Sequence, residues 1–203
     1  MITIIDYGCG NVKAFVNVFN RFNIPVVVAN SKEQVRKASS IILPGVGAFD
    51  FVMKTFNESG LRDIVENKVL VEKTPVLGIC AGMQILADSS EEGKEKGLSW
   101  IKGNVRLFDT SKIPYVTKVP HMGWNQISPN DSQLFIKIED NSRFYFVHSY
   151  YFEVAEESNS IAKSIYGLEF TSAVRNNNIF GVQFHPEKSH NNGIQLLLNF
   201  SKI

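Results

Sequence analysis

The sequence predicts an α/β fold, a three-layer sandwich with a mostly parallel central sheet and a β-rich C-terminal half. Three observations predict it. Short apolar runs alternate with helical patterns over the first 88 residues. Those runs are apolar at successive positions, so both faces of each strand need cover, and helices on both faces of a parallel sheet supply it. From Asn104 onward the pattern changes to closely spaced strands with polar turns.

The elements follow in order. Residues 2–5 are a β-branched run that ends at Asp6, and Tyr7-Gly8-Cys9-Gly10 reads as a turn. Val12, Phe15, Val16, Phe19 and Phe22 recur at helical spacing. Pro25 introduces a strand over 26–29. Ser31 followed by Gln34 is a capping-box pattern that opens a helix to Ala38. Strands are expected over 41–43 and 76–79. A helix from about Phe49 breaks at Ser59-Gly60 and resumes at Leu61, and another starts near Ala81. The charge run 91–96 reads as a solvated loop without function. Further strands are expected over 104–108, 115–119, 134–138, 144–152, 161–166, 168–175 and 179–184. A helix over 193–201 closes the chain.

The 203 residues are read as one domain spanning 1–203. Lys plus Arg number 21 against 20 for Asp plus Glu, and no basic stripe points to nucleic acid. Two cysteines, Cys9 and Cys80, cannot build a disulfide framework. The N-terminus lacks a basic n-region, and no apolar run approaches a membrane span. The expectation is a soluble, cytoplasmic protein without a membrane partner. No His/Cys/Asp/Glu cluster has metal-ligand spacing, and no P-loop or G-x-G-x-x-G is present, so neither metal nor cofactor is expected.

Pro75-Val76-Leu77-Gly78-Ile79-Cys80-Ala81-Gly82-Met83-Gln84 has the form G-x-C-x-G between a strand and a helix. This is a nucleophile elbow with sulfur as the attacking atom. Gly78 and Gly82 let neighbouring backbone approach closely. The helix start favours the thiolate and aims the Ala81 amide at a developing oxyanion. Read alone, the pattern leaves an inert buried cysteine as an equal alternative. A base is needed.

Four histidines are available: His121, His148, His185 and His190. The apolar run to Phe184 delivers His185 at a strand end. Glu187, two positions on, projects to the same side and can orient the imidazole. The result is Cys-His-Glu logic. His148, in an aromatic strand, is expected near the site but not as the base. His121 reads as a surface or interface residue, and His190 as a solvated one.

With the elbow and His185-Pro186-Glu187 in place, the chain resembles a class I glutamine amidotransferase over essentially its whole length. Asp6-Tyr7-Gly8-Cys9-Gly10-Asn11, Leu43-Pro44-Gly45-Val46-Gly47-Ala48-Phe49, Pro120-His121-Met122-Gly123-Trp124-Asn125 and His185-Pro186-Glu187-Lys188-Ser189 are similar to one branch of that family. Members of that branch supply ammonia to a histidine-pathway synthase. The resemblance implies a triad of Cys80, His185 and Glu187, with the amides of Val46 and Ala81 as the oxyanion hole. It implies that Gly47, Gln84, Ser149 and Tyr150 hold glutamine. It also implies a heterodimer with a TIM-barrel cyclase, faced by Asn11, Trp124, Asn125, Tyr145 and Lys188. The resemblance further implies that the peptide near Gly45-Val46 reorients when the partner site is occupied. Trp124 and Tyr145 also fit a core role, and Gln84 a solvated one. Ala48 departs from the family pattern, where histidine is frequent. So does Val12-Lys13-Ala14-Phe15, where a small polar residue is usual. The alternatives are a paralogous ammonia supplier for another synthase, or a non-catalytic interaction protein of the same fold; no triad member is missing.

Overall fold

A computed structural model describes residues 1–116, 118–130 and 132–203. Its first half is β1 (Ile2–Ile5), α1 (Val12–Arg21), β2 (Val26–Ala29), α2 (Lys32–Arg36), β3 (Ser40–Gly45), α3 (Phe49–Glu58), α4 (Arg62–Glu66), β4 (Val76–Cys80) and α5 (Ala81–Gln84). The second half is β5 (Ser89–Ser90), β6 (Gly103–Leu107), β7 (His121–Gln126), β8 (Ser128–Pro129), β9 (Arg143–His148), β10 (Tyr150–Val154), β11 (Ser160–Tyr166), β12 (Leu168–Asn176), β13 (Ile179–Val182) and α6 (His190–Phe200).

The main sheet runs β2-β1-β3-β4-β13-β12-β10-β6-β5. The five strands from β2 to β13 are parallel. β12 turns the sheet antiparallel, pairing with β13, β10 and β11. Alternation along the parallel strands divides the core in two. Ile5, Ile41, Leu43 and Val76 pack with Val35, Val52, Phe56 and Val65 of α2, α3 and α4. Ile2, Ile4, Ile42 and Leu77 pack with Phe15 and Phe19 of α1 and Leu196, Leu197 and Phe200 of α6. Helices therefore cover both faces, and the strand ends β1, β3 and β4 open on one edge. No helix among the described residues is long and apolar enough to cross a membrane.

The local chemistry follows the sequence closely in the first half. Asn11 caps α1 by accepting from the Ala14 amide. Ser31 caps α2, and Gln34 reaches back to the Asn30 amide at 3.0 Å. α3 has Ala48 at its cap, which offers no side-chain acceptor. Glu92 fills the role from a distant loop, accepting from the Phe49 amide at 2.8 Å. Asp50 in turn accepts from the Lys94 and Glu95 amides. The 91–96 charge run is thus tied to α3 rather than freely solvated.

Three expected strands in the β-rich half differ in the structure, and β7 was not expected. Residues 134–138 form no strand. Gln133–Phe135 is a 3₁₀ turn capped by Ser132, and Asn199 of α6 donates to the Leu134 and Ile136 carbonyls. Leu134, Phe135 and Ile138 are buried at helical rather than alternate spacing. The expected strand 115–119 includes Thr117, which lies outside the described residues. Tyr115 and Val116 form a bend, with Tyr115 stacked on Tyr166. The run 144–152 is two strands, because the chain leaves the two-stranded β7–β9 sheet and enters the main sheet at Ser149. β7, unforeseen, pairs antiparallel with β9 and places His121 opposite His148.

Candidate active site

Cys80 closes β4, and α5 starts at the next residue. Its φ is 56° and ψ is −116°, a strained backbone for a non-glycine residue. Such strain persists only where the surroundings fix it. Here they do so by close approach. A Cβ on Gly78 would lie 2.5 Å from the Gly82 carbonyl oxygen, and one on Gly82 would lie 2.1 Å from the Leu43 carbonyl oxygen. Glycine at both positions is a packing requirement. β3 runs alongside with Gly45 in register with Cys80, so the peptide entering Val46 leaves the sheet beside the sulfur. α5 is a single turn, so Cys80 meets the free amides at its start rather than a long summed dipole.

β13 ends at Val182, and His185 stands three residues beyond it, not on the strand end itself. Pro186–Lys188 forms a 3₁₀ turn, which brings Glu187 back beside the imidazole. Glu187 Oε1 lies 2.8 Å from His185 Nδ1, and both side chains are buried. The His185 main chain is clamped to β9. Its amide donates to the Tyr145 carbonyl, and the Ser189 hydroxyl donates to its carbonyl while accepting from the Tyr145 amide. Burial pulls the His185 pKa down. Hydrogen bonds and charge from Cys80 and Glu187 outweigh that and hold it up at about 10. The ring is a cation at neutral pH, ready to donate a proton.

Cys80, Ala81, His185, Val46 and Gly47 share a cleft of about 320 Å³. Gln84, Ser149 and Tyr150 line its far wall, with Glu92, His148 and Lys188. The space suits one amino acid. Among the described residues Glu92 is the cleft's one lining carboxylate, and Lys188 its one lining ammonium. Val46 is exposed, and Gly47 has a φ of +120°.

Gln84 is buried rather than solvated. Its Nε2 donates to the Tyr150 carbonyl at 3.1 Å and to Gln183 Oε1 at 3.0 Å. Gln183 was not anticipated. It is fully buried, and its Nε2 points at Cys80 Sγ from 3.9 Å. An amide interrupting the apolar run before His185 was the available signal. Glu92 was missed too, since its charge run resembles a surface loop.

His148 lies beside the site as expected, buried and not paired with Cys80. His121 corrects the surface reading. It is buried, stacked on Phe146 and Tyr166, with its Nδ1 2.9 Å from His148 Nε2. Burial lowers its pKa to about 4, and burial together with the His121 and His185 charges lowers that of His148 to about 3. His190 is exposed, with its ring against Trp124.

The residues assigned to a partner face fall into two places. Trp124, Tyr145 and Lys188 cluster: Trp124 meets Tyr145 edge-on at 6.1 Å, and the Lys188 ammonium sits over Tyr145 at 5.8 Å. Trp124 is 39% exposed and Met122 beside it 62%, an apolar patch on β7. Asn125 lies at the inner side of the same strand. Asn11 stands apart at the start of α1, exposed and engaged in capping. Among the described residues no group of three or more His, Cys, Asp or Glu could hold a metal ion.

An elbow cysteine, a charged imidazole and a carboxylate in this order are a combination that comparison with known proteins can place. Residues 3–202 match the family described as glutamine amidotransferase class-I. The chain belongs to the class-I glutamine amidotransferases. Among curated members of the family, the imidazole glycerol phosphate synthase subunit HisH of Bdellovibrio bacteriovorus is 53% identical, with 100% of each chain covered. The HisH protein of Leptospira interrogans is 49% identical, again over 100% of both. A crystal structure of a glutamine amidotransferase superposes on this amidotransferase with a TM-score of 0.74 at 18% identity, covering 100% of both chains. A glutamine amidotransferase from Thermotoga maritima gives 0.65 at 16% identity, covering 92% of this chain and 75% of the other. These two likenesses carry the fold.

Proposed function

We propose that this amidotransferase is the glutaminase subunit of an imidazole glycerol phosphate synthase, hydrolysing glutamine to glutamate and ammonia. The observation that carries the reading is the Cys80–His185–Glu187 cleft in a chain that shares half its residues, end to end, with HisH subunits.

Glutamine lies in the cleft with its side-chain amide carbon at Cys80 Sγ. Its α-ammonium faces Glu92, and Gln84, Ser149 and Tyr150 form the opposite wall. The thiolate attacks, a carbon–sulfur bond forms, and the carbonyl π electrons move to oxygen. The amides of Ala81 and Val46 hold that oxyanion. His185 gives its proton to the departing nitrogen, the carbon–nitrogen bond breaks, and ammonia and a γ-glutamyl thioester result. The now neutral imidazole takes a proton from water. The hydroxide adds to the thioester carbon, and collapse expels the thiolate and leaves glutamate. Glu187 holds the ring in one orientation through both proton transfers.

The ammonia passes to a TIM-barrel cyclase in a heterodimer. There a phosphorylated ribulosyl-imidazolecarboxamide nucleotide is converted to imidazole glycerol phosphate and an aminoimidazole carboxamide ribotide. The Trp124–Tyr145–Lys188 patch, with Asn125 behind it, is the main face offered to the cyclase, and Asn11 adds a separate contact from the start of α1. An exposed tryptophan with a neighbouring cation is the kind of anchor that concentrates interface energy.

A glutamine-shaped electrophile tests the reading directly. Incubated with the complex, it should alkylate Cys80 and leave Cys9 untouched, as read by peptide mass mapping, and excess glutamine should protect. Labelling of Cys9 alone, or none, would overturn it.

A further inference from the structure

Behind the cleft wall, four groups form a chain of hydrogen bonds whose direction the chemistry fixes. The Tyr150 carbonyl can only accept. It sits 2.7 Å from His148 Nδ1, so that nitrogen carries the proton. In a neutral ring His148 Nε2 must then accept, and its partner at 2.9 Å, His121 Nδ1, must donate. His121 Nε2 is left as an acceptor, and the Asn125 amide nitrogen lies 3.2 Å from it. Asn125 is itself fully committed: its second amide proton goes to the Ile165 carbonyl at 2.9 Å, and its oxygen accepts from the Gln126 amide at 2.8 Å. Both rings are thereby confined to the Nδ1–H tautomer.

We propose that Asn125, His121 and His148 are a one-way positioning relay. It holds the Tyr150 carbonyl, and with it the glutamine-facing wall, in a position set from β7.

Two features make the relay more than a buried polar cluster. The Tyr150 carbonyl also accepts from Gln84 Nε2, so donors from β9 and α5 converge on one atom of the cleft wall. At the other end Asn125 is on the strand that carries exposed Met122 and Trp124. The surroundings keep both rings neutral. Phe108, Phe146, Phe170 and Tyr166 pack around the pair, and burial, then a neighbouring charge on His121 and then that on His185, disfavour a cation at His148. A second proton on His148 would set its Nε2–H against the His121 Nδ1–H at 2.9 Å, and one on His121 would set its Nε2–H against the Asn125 amide group at 3.2 Å. The proposal rests on the glutaminase reading for its kinetic consequence only; the tautomers stand or fall by themselves.

The test has two arms. In the full-length chain with nitrogen-labelled histidine, imidazole NMR should find two rings that carry one proton, on Nδ1, and do not titrate across neutral pH. An Nε2–H ring at either position, or an ordinary histidine midpoint, overturns the relay. In the second arm, H121F keeps the aromatic stack and removes both nitrogens. In complex with the cyclase it should raise the glutamine KM about fivefold, the effect of one lost hydrogen bond, with kcat nearly unchanged. In the isolated variant, His148 should lose its fixed tautomer. If H121F does not fold, N125A supplies the tautomer readout in the isolated chain, where the His121 and His148 rings should lose their fixed Nδ1–H form. An unchanged KM together with an unchanged His148 tautomer refutes the proposal. A parent complex that releases no glutamate refutes the glutaminase reading and leaves the tautomer result standing.

Discussion

Gly82 approaches the backbone of Leu43 so closely that a Cβ on it would lie 2.1 Å from the Leu43 carbonyl oxygen. Backbone cannot yield there as a flexible side chain would. The contact presses α5 onto β3 and keeps the strained Cys80 beside Gly45. Gly82→Ala should cost about 1–3 kcal/mol by overpacking, seen as a lower melting temperature. The loss of glutaminase activity should exceed what the fraction unfolded explains, because the elbow and the Val46 peptide are displaced from one another.

Glu187 meets His185 at 2.8 Å with both side chains buried. Glu187→Gln removes the carboxylate that helps hold the imidazole cation, and should lower kcat by about 10²- to 10⁴-fold, the scale of positioned proton transfer. The same pair governs a pH effect on folding. The His185 pKa is raised in the folded chain to about 10 from an ordinary 6.5. The folded state therefore binds more protons in that window, and stability falls as pH rises. The contribution is complete below the ordinary value and is lost through about 10. Denaturant midpoints measured across this range should decline with pH, and the decline should be shallower in Glu187→Gln.

Glu92 both lines the cleft and caps α3 through the Phe49 amide. Glu92→Gln keeps an oxygen for the cap and removes the charge. The glutamine KM should rise about tenfold, as for loss of one charged hydrogen bond, with kcat and the melting temperature little altered. A large fall in kcat with KM unchanged would place Glu92 in the chemistry instead of in binding.

The chemistry of the site was more legible in the sequence than its walls. Cys80 and its two glycines, His185 and Glu187 declare themselves because a nucleophile on a tight turn and an oriented base demand particular residues at particular spacings. The parallel half was equally plain, since β1, β3 and β4 are apolar on both faces. What escaped depends on contacts between residues remote in sequence. Glu92 reads as surface charge until Phe49, with no cap of its own, is brought to it. His121 reads as a surface residue until β7 pairs with β9 and puts it opposite His148. Residues 134–138 have the composition of a strand, but Asn199 supplies the hydrogen bonds that a neighbouring strand would otherwise provide. The break at Ser149 is invisible in a continuous aromatic run because it arises from a change of sheet, not from a turn residue. The strand end was misplaced for a related reason: a 3₁₀ turn led by Pro186, rather than strand alternation, brings Glu187 to His185.

Cys80 is read as the nucleophile of a glutaminase whose ammonia serves a partner. The most direct measurement compares the parent and Cys80→Ala complexes with the cyclase, first with glutamine and then with ammonium as nitrogen source. Cys80→Ala should abolish glutamate release and glutamine-dependent synthesis while ammonium-dependent synthesis continues at the parent rate. Glutamate release by Cys80→Ala at the parent rate would contradict it.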